Sequence, residues 1–328
     1  MNLAELTIPI TQLSRFEEAW SGPIAFVALN QGEVSLSDLR LPPCPTIGLG
    51  PSHHPLASLF DAIVETSIAC ERLARAVIAN SHAAAVLVQV LRLTGSMPIA
   101  DALTVESMAY AVLQGSAEHC DWLVKRRTIA MESSTPGHVR VLRENDRLRL
   151  TLDRAEANNA IDRSMRDELA TALTLAGLDR EVTRIDLDAR GKAFSLGADL
   201  REFGTTTDPA TAHAIRARTL PARAAIGCAE RMVVHVDGAC VGAGLELAAF
   251  AGKVMATTKS WFQLPELAMG IIPGAGGCVS LPRRIGRQRT ALMVLSGRRI
   301  GAREALDWGL IDALVDDTPA DESGSDVA

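Results

Sequence analysis

Two glutamates about twenty residues apart, Glu246 and Glu266, each sit beside a glycine-bearing segment, and this pairing constrains the chain more than any other feature. The first lies in Gly242-Ala243-Gly244-Leu245-Glu246, and the second just precedes Met269-Gly270-Ile271-Ile272-Pro273-Gly274-Ala275-Gly276-Gly277. Glycine at this density lets backbone amides approach a ligand, and two fixed carboxylates beside those amides can move protons. The combination suggests acyl chemistry.

The scaffold under these segments reads as α/β. A β-hairpin is predicted from His138 to Arg143 and Arg147 to Leu152, turning at Glu144-Asn145-Asp146, with a helix from about Arg163. Arg184-Ile185-Asp186-Leu187-Asp188, Met232-Val233-Val234-His235-Val236 and Lys253-Val254-Met255-Ala256 are strand candidates between helical runs. Strands alternating with helices over residues 136–315 mean one α/β domain. Residues 1–135 read as a mainly helical region, with Ser133-Ser134-Thr135-Pro136-Gly137 as the linker, and 316–328 as a disordered acidic tail. Within the first region, Leu56, Leu59, Phe60, Ile63 and Val64 recur at helical spacing that continues through Leu73, Val77 and Ile78. Further helices are predicted from about Ala100 to Leu113 and from Ala117 to Arg127, and Pro23 to Leu29 reads as a buried strand.

Composition narrows the function. A formal charge of -6 argues against general binding of nucleic-acid phosphates. Arg283, Arg284, Arg287 and Arg289 form a local basic cluster, read as a solvated helix face or subunit contact, with phosphate binding as the second reading. Six cysteines without paired spacing support neither a disulfide framework nor a zinc ribbon, and His53-His54 reads as loop rather than metal ligand. The opening MNLAELTIPITQ lacks the pattern of a secretory signal, so a cytoplasmic location is expected, without a membrane span or nucleic-acid partner.

Three segments carry the chemistry: Ala193-Phe194-Ser195-Leu196-Gly197-Ala198-Asp199, Asp237-Gly238-Ala239-Cys240-Val241-Gly242-Ala243-Gly244-Leu245-Glu246, and Pro265-Glu266 with the glycine run after it. Each alone is a common strand-to-helix turn. Their order and spacing together resemble the crotonase, or enoyl-CoA hydratase/isomerase, superfamily, as does the earlier turn Arg154-Ala155-Glu156-Ala157-Asn158-Asn159-Ala160-Ile161. The resemblance spans roughly residues 138–315 and implies a crotonase-like spiral of ββα units, here with a mainly helical N-terminal extension.

It further implies a coenzyme A thioester substrate, no metal or redox cofactor, and assembly as a homotrimer or dimer of trimers. Carried over by position, the backbone amides of Ala198 and Ala243 would bind the thioester carbonyl as it becomes an enolate. Glu266 would be the main proton donor and Glu246 the water-orienting partner. Gly274 would lie near the thioester, and Ala193, Leu196 and Gly197, with the turn at Ala157 and Asn158, would flank the carrier. Both acids favour an enoyl-CoA hydratase. An isomerase, a decarboxylase or hydrolase of the enolate type, or a non-catalytic acyl-CoA binder are the alternatives. Typical members continue into two or three closing helices after the equivalent of Gly309-Leu310-Ile311. This sequence has instead an unusual leading region, and the expectation is that helices within 57–127 take the place of the closing helices, in the same subunit or a neighbour; an unrelated accessory domain is the competing reading.

Overall fold

The computed structural model describes residues 3–14, 20–29, 39–64, 67–127 and 135–316. The chain opens with four short apolar strands paired in parallel and in sequence order: β1 (Thr7–Ile8), β2 (Ala25–Ala28), β3 (Thr46–Leu49) and β4 (Ala62–Val64). The sequence predicts only the second. The helix expected to begin at Leu56 is not there, because Leu56–Val64 divides into a 3-10 turn at Ala57–Leu59 and strand β4. Phe60, Ala62 and Val64 are buried on alternate positions, so this run satisfies a period of two as well as 3.6. Its β-branched end pairs with β3, and that pairing decides the outcome.

After Val64 come helices α1 (Ser67–Ala79), α2 (Ser81–Thr94), α3 (Ile99–Gln114) and α4 (Ala117–Arg127), of which the sequence predicts all but α2. The buried side of α2 is Ala83, Ala84, Leu87, Val88, Val90, Leu91 and Thr94, a stripe repeating every three to four residues. Glu118 of α4 accepts the first-turn amides of His82 and Ala83, filling two of the donors that every helix start leaves open. Among the described residues no single helix is long and apolar enough to cross a membrane. Residues 69–79 of α1 and α2 reach the required length only together, across a 105° bend.

The predicted hairpin is present as β5 (His138–Glu144) and β6 (Arg147–Asp153), antiparallel in full register, with Asn145 in the left-handed region at φ 57°. Helix α5 (Arg163–Leu178) is capped by Asp162, whose side chain accepts from the Met165 amide. Three pairs of strands then succeed one another: β7 (Arg184–Ala189) with β8 (Ala193–Ser195), β9 (Met232–Val236) with β10 (Ala239–Val241), and β11 (Lys253–Thr257) with β12 (Trp261–Gln263). Helices α6 (Pro209–Thr219) and α7 (Pro221–Ala225) follow the first pair, α8 (Ala243–Ala248) the second, and α9 (Gly277–Ile285) and α10 (Arg287–Ser296) the third. Strand β13 (Ile300–Gly301), helix α11 (Ala302–Trp308) and strand β14 (Ala313–Val315) complete the described part.

The first strand of each pair enters one sheet and the second enters another. The six-stranded sheet runs β14-β11-β9-β7-β6-β5 and the four-stranded sheet β13-β12-β10-β8. Within them β7, β9 and β11 are parallel neighbours, as are β8, β10 and β12. The result is a repeated ββα unit that advances one strand in both sheets per turn. All three chemistry-bearing segments lie at or just after the second strands, so they emerge on one end of the four-stranded sheet.

The arginine cluster is a solvated face only in part, since Arg283 and Arg289 are exposed while Arg284 and Arg287 are half-buried. Arg283 donates to the carbonyls of Thr94 and Met97, Arg284 pairs with Asp312 at 2.9 Å, and Arg289 donates to the Trp308 carbonyl. Arg287 pairs at 2.9 Å with Asp61, a carboxylate only 1% exposed that Arg92 of α2 also engages. Asp61 thus joins β4, α2 and α10. Burying that charge is tolerable because two guanidinium groups and the Thr46 amide satisfy it.

Candidate active site

The turn after β8 is built by side-chain hydrogen bonds to backbone. Asn159 donates to the carbonyls of Arg190 and Ala193, while Ser195 Oγ donates to Asn159 O and accepts the Gly197 amide. Asp199 anchors the far side through Arg154 at 2.9 Å and through Arg201. Burial opposes its ionisation, but hydrogen bonds from the Arg201 side chain and amide and from Arg154 prevail and hold the carboxyl far below its usual range. In the bridge between Ile161 and Ala198 the bonds run through Gly197 O and Asp199 N. The Ala198 N–H therefore takes no part in the pairing.

The second donor arises from helix geometry. Ala243 is the first residue of α8, where an N–H has no partner within the helix. Gly197 and Gly242 bring the two segments together: a Cβ on Gly197 would stand 3.5 Å from Ala243 N, and Gly242 itself adopts φ 47°. Ala198 and Ala243, from different segments, thus line the same cavity.

Both glutamates are buried beside these donors, at 2% exposure for Glu246 and 8% for Glu266. Glu246 Oε2 accepts the amides of Ala275 and Gly277 at 2.7 and 2.8 Å, which fixes the carboxylate against the glycine run. Glu266 is held differently. It starts a 3-10 turn (Glu266–Met269), its Oε1 lies 2.8 Å from where a Cβ on Gly242 would be, and its buried Oε2 has no partner among the described residues. His119 of α4 donates from Nδ1 to the Met269 carbonyl at 2.8 Å, tying down the end of that turn. Burial pushes Glu246 up to about 7 against the two amide bonds. Burial, reinforced by the charge of Glu246, raises Glu266 well above the ordinary carboxyl range.

A third carboxylate completes the group. Glu106 of α3 is fully buried and accepts the Gly276 and Cys278 amides at 2.8 and 2.7 Å. Glu106 and Glu246 therefore take alternate N–H groups of the segment 275–278 from two sides. Burial and the neighbouring Glu246 push Glu106 upward, opposed by those two amides.

Glu246 and Glu266, but not Glu106, line a cavity of about 620 Å³. Its lining includes Leu196, Gly197, Ala198, Ala243, Glu246, Glu266 and Gly274, seven of the residues singled out from the sequence. Ala193 and Asn158 are not in the wall: Ala193 is buried in β8, and Asn158 sits behind the turn with its carbonyl accepting the Leu196 amide. Tyr110 and Gln114 of α3 and Arg216 of α6 enter the lining, and sequence reasoning missed all three, as it missed Glu106. A Cβ on Gly274 would fall 2.2 Å from the Tyr110 ring, so glycine there is what lets the leading helices close on the cavity. One signal was available: Glu106 is the lone acid of Ala102–Leu113 and stands on the same helix side as Leu103 and Tyr110.

The paired sheets, their ββα repeat and the placement of the cavity define a crotonase-like α/β spiral. The enoyl-CoA hydratase/isomerase family model matches residues 144–322, and the chain belongs to that family. It is 34% identical over 171 residues to the 2,3-dehydroadipyl-CoA hydratase of Escherichia coli (strain K12), covering 52% of this chain and 66% of that protein. It is 32% identical over 174 residues to a mevalonyl-coenzyme A hydratase of Beauveria bassiana, covering 51% and 62%. The chain thus spans slightly less than two thirds of the length of these curated relatives. Among solved structures it is similar to an enoyl-CoA hydratase/isomerase assigned in Mycobacterium abscessus, with 36% identity, a TM-score of 0.51, and coverage of 55% of this chain and 71% of that one. It is also similar to an enoyl-CoA hydratase of Mycobacterium smegmatis, with 26% identity, a TM-score of 0.50, and coverage of 54% and 70%.

Proposed function

We propose that this protein adds water across the 2,3-double bond of an acyl-CoA thioester. The observation that carries the reading is the asymmetry of the two glutamates: one is pinned by two amides, while the other keeps a buried oxygen without a partner among the described residues, and both line one cavity with Ala198 and Ala243. In this scheme the N–H groups of Ala198 and Ala243 receive the thioester carbonyl oxygen. Water attacks the β-carbon, and the π electrons move onto that oxygen as an enolate. Glu246 orients the water and takes its proton; Glu266, kept protonated by burial, supplies a proton to the α-carbon. Transfer of the proton from Glu246 back to Glu266 restores the site. A donor of this kind contributes roughly 3 to 4 kcal/mol to the transition state. The Leu196–Gly197 backbone flanks the carrier, and no resident cofactor enters the scheme.

The leading helices belong to the same proposal. Tyr110 and Gln114 wall the acyl end, so residues from α2 to α4 act in the place of closing helices from within the same subunit. A trimeric or hexameric assembly is expected, and sedimentation measures it directly. The chemical test is hydration of crotonyl-CoA and of longer enoyl-CoA thioesters, followed by loss of the conjugated absorbance. Glu266→Gln should lower turnover about 10²- to 10⁴-fold. Binding of CoA esters with no hydration of any enoyl substrate would instead favour another enolate reaction or a binding protein.

A further inference from the structure

Arg216 projects from α6 into the cavity wall with every protein partner neutral. Its Nε donates to Ser107 Oγ at 3.1 Å, Nη1 to Gln114 Oε1 at 2.7 Å and Nη2 to the Ser107 carbonyl at 3.1 Å. The guanidinium carbon lies 4.5 Å from the centre of the Tyr110 ring. Among the described residues no carboxylate forms an ion pair with it. Glu106 acts on it electrostatically, but both Glu106 oxygens are already committed to the amides of Gly276 and Cys278. The guanidinium has five N–H groups, and three are used, which leaves one on each terminal nitrogen.

A half-buried guanidinium placed over an aromatic ring and fixed by three hydrogen bonds is a preorganised fork, and such a fork matches a carboxylate. Its desolvation is opposed by the attraction of Glu106, but among the described residues no carboxylate hydrogen-bonds to it. We infer that Arg216 selects acyl groups ending in a carboxylate, so that the preferred substrate is the mono-CoA thioester of a dicarboxylic acid. The inference rests on the CoA-thioester reading of the cavity. It assigns the tail of the acyl group to the wall made by α3 and α6, and it explains why Ser107, Gln114 and Tyr110 converge on one side chain. An ω-methyl group at that position would leave the two remaining N–H groups without an acceptor.

Calorimetric binding of saturated esters tests this without requiring turnover. Glutaryl-, adipyl- and suberyl-CoA would be compared with the ω-methyl esters of matching length and with the ω-amide of adipyl-CoA, on wild type, Arg216→Gln and Arg216→Lys. At least one dicarboxylic ester should bind wild type ten- to a hundredfold more tightly than its ω-methyl partner. The preference should vanish in Arg216→Gln and return in part in Arg216→Lys. Equal binding of acid, amide and ω-methyl esters by wild type would overturn the inference even if the variants fail to fold, as would a preference that survives Arg216→Gln. Weaker binding of free CoA itself by Arg216→Gln would also overturn it, because the arginine would then serve the carrier. Failure of wild type to bind any CoA ester would instead defeat the underlying thioester reading.

Discussion

A carboxyl group buried beside another carboxyl group resists ionisation, and the pair Glu246 and Glu266 should make both activity and stability depend on pH. Glu246 has its folded value raised from 4.5 to about 7, so the folded state binds more protons than the unfolded state between those values. Its stabilising effect is complete below the lower value and is lost as pH rises through about 7. Thermal unfolding should therefore show a Tm that falls between about pH 5 and pH 8, with a shallower fall in Glu246→Gln; identical slopes would place the dependence elsewhere. Water orientation in the proposed scheme needs Glu246 ionised, so kcat/KM for hydration should rise toward about pH 7 on its acid limb. Asp199 behaves in the opposite sense, with its carboxyl held ionised by Arg201 and Arg154. Asp199→Ala removes one of two carboxylates paired with the buried Arg154, which keeps Asp162 and the Thr135 and Ala160 carbonyls, and should cost about 1 to 3 kcal/mol in denaturant unfolding.

At the scale of elements, α3 is the part that connects the leading region to the site. It reaches the glycine segment through Glu106 and the cavity through Tyr110 and Gln114. In Glu106→Gln the side-chain amide offers one acceptor where two N–H groups converge, leaving one buried donor unsatisfied, a loss of about 1 to 3 kcal/mol. The expected result is a lower denaturation midpoint together with a lower hydration kcat, with free CoA affinity much less changed. An unaltered kcat would mean that the 275–278 segment holds its shape without α3. The β5–β6 hairpin and helices α1, α3 and α4 were legible from local pattern because turn residues and periodicity agree there. The Leu56–Val64 run was not, since its apolar spacing fits two periods and only pairing with β3 distinguishes them.

For the whole molecule, the leading region shares the core of the spiral: one cluster runs from Ile24 and Phe26 through Leu87 and Leu91 to Leu281 and Leu295. A second joins Ala102 and Leu103 to Leu220, Ala222 and Val279. Asp61 adds buried charge pairing across the same boundary. Removing residues 1–134 would uncover these apolar faces, and the remaining fragment should aggregate and lose acyl-CoA affinity. A monodisperse fragment with unchanged affinity in light scattering and calorimetry would show that the leading helices do not complete the pocket.

The order of the glycine-bearing segments, their place at the ends of strands, and the two acids and two alanines that line the cavity were decided within short stretches of chain. Local rules suffice there, because a strand that ends in small residues before a helix exposes amides wherever it occurs. The third carboxylate and the part of the cavity wall formed by α3 and α6 were decided only by packing. Glu106 lies 170 residues from Gly276, and Arg216 lies 109 from Ser107, yet each pair is within hydrogen-bond distance. No periodicity or motif carries such a pairing, since it exists only after two apolar surfaces from opposite ends of the chain have excluded water between them.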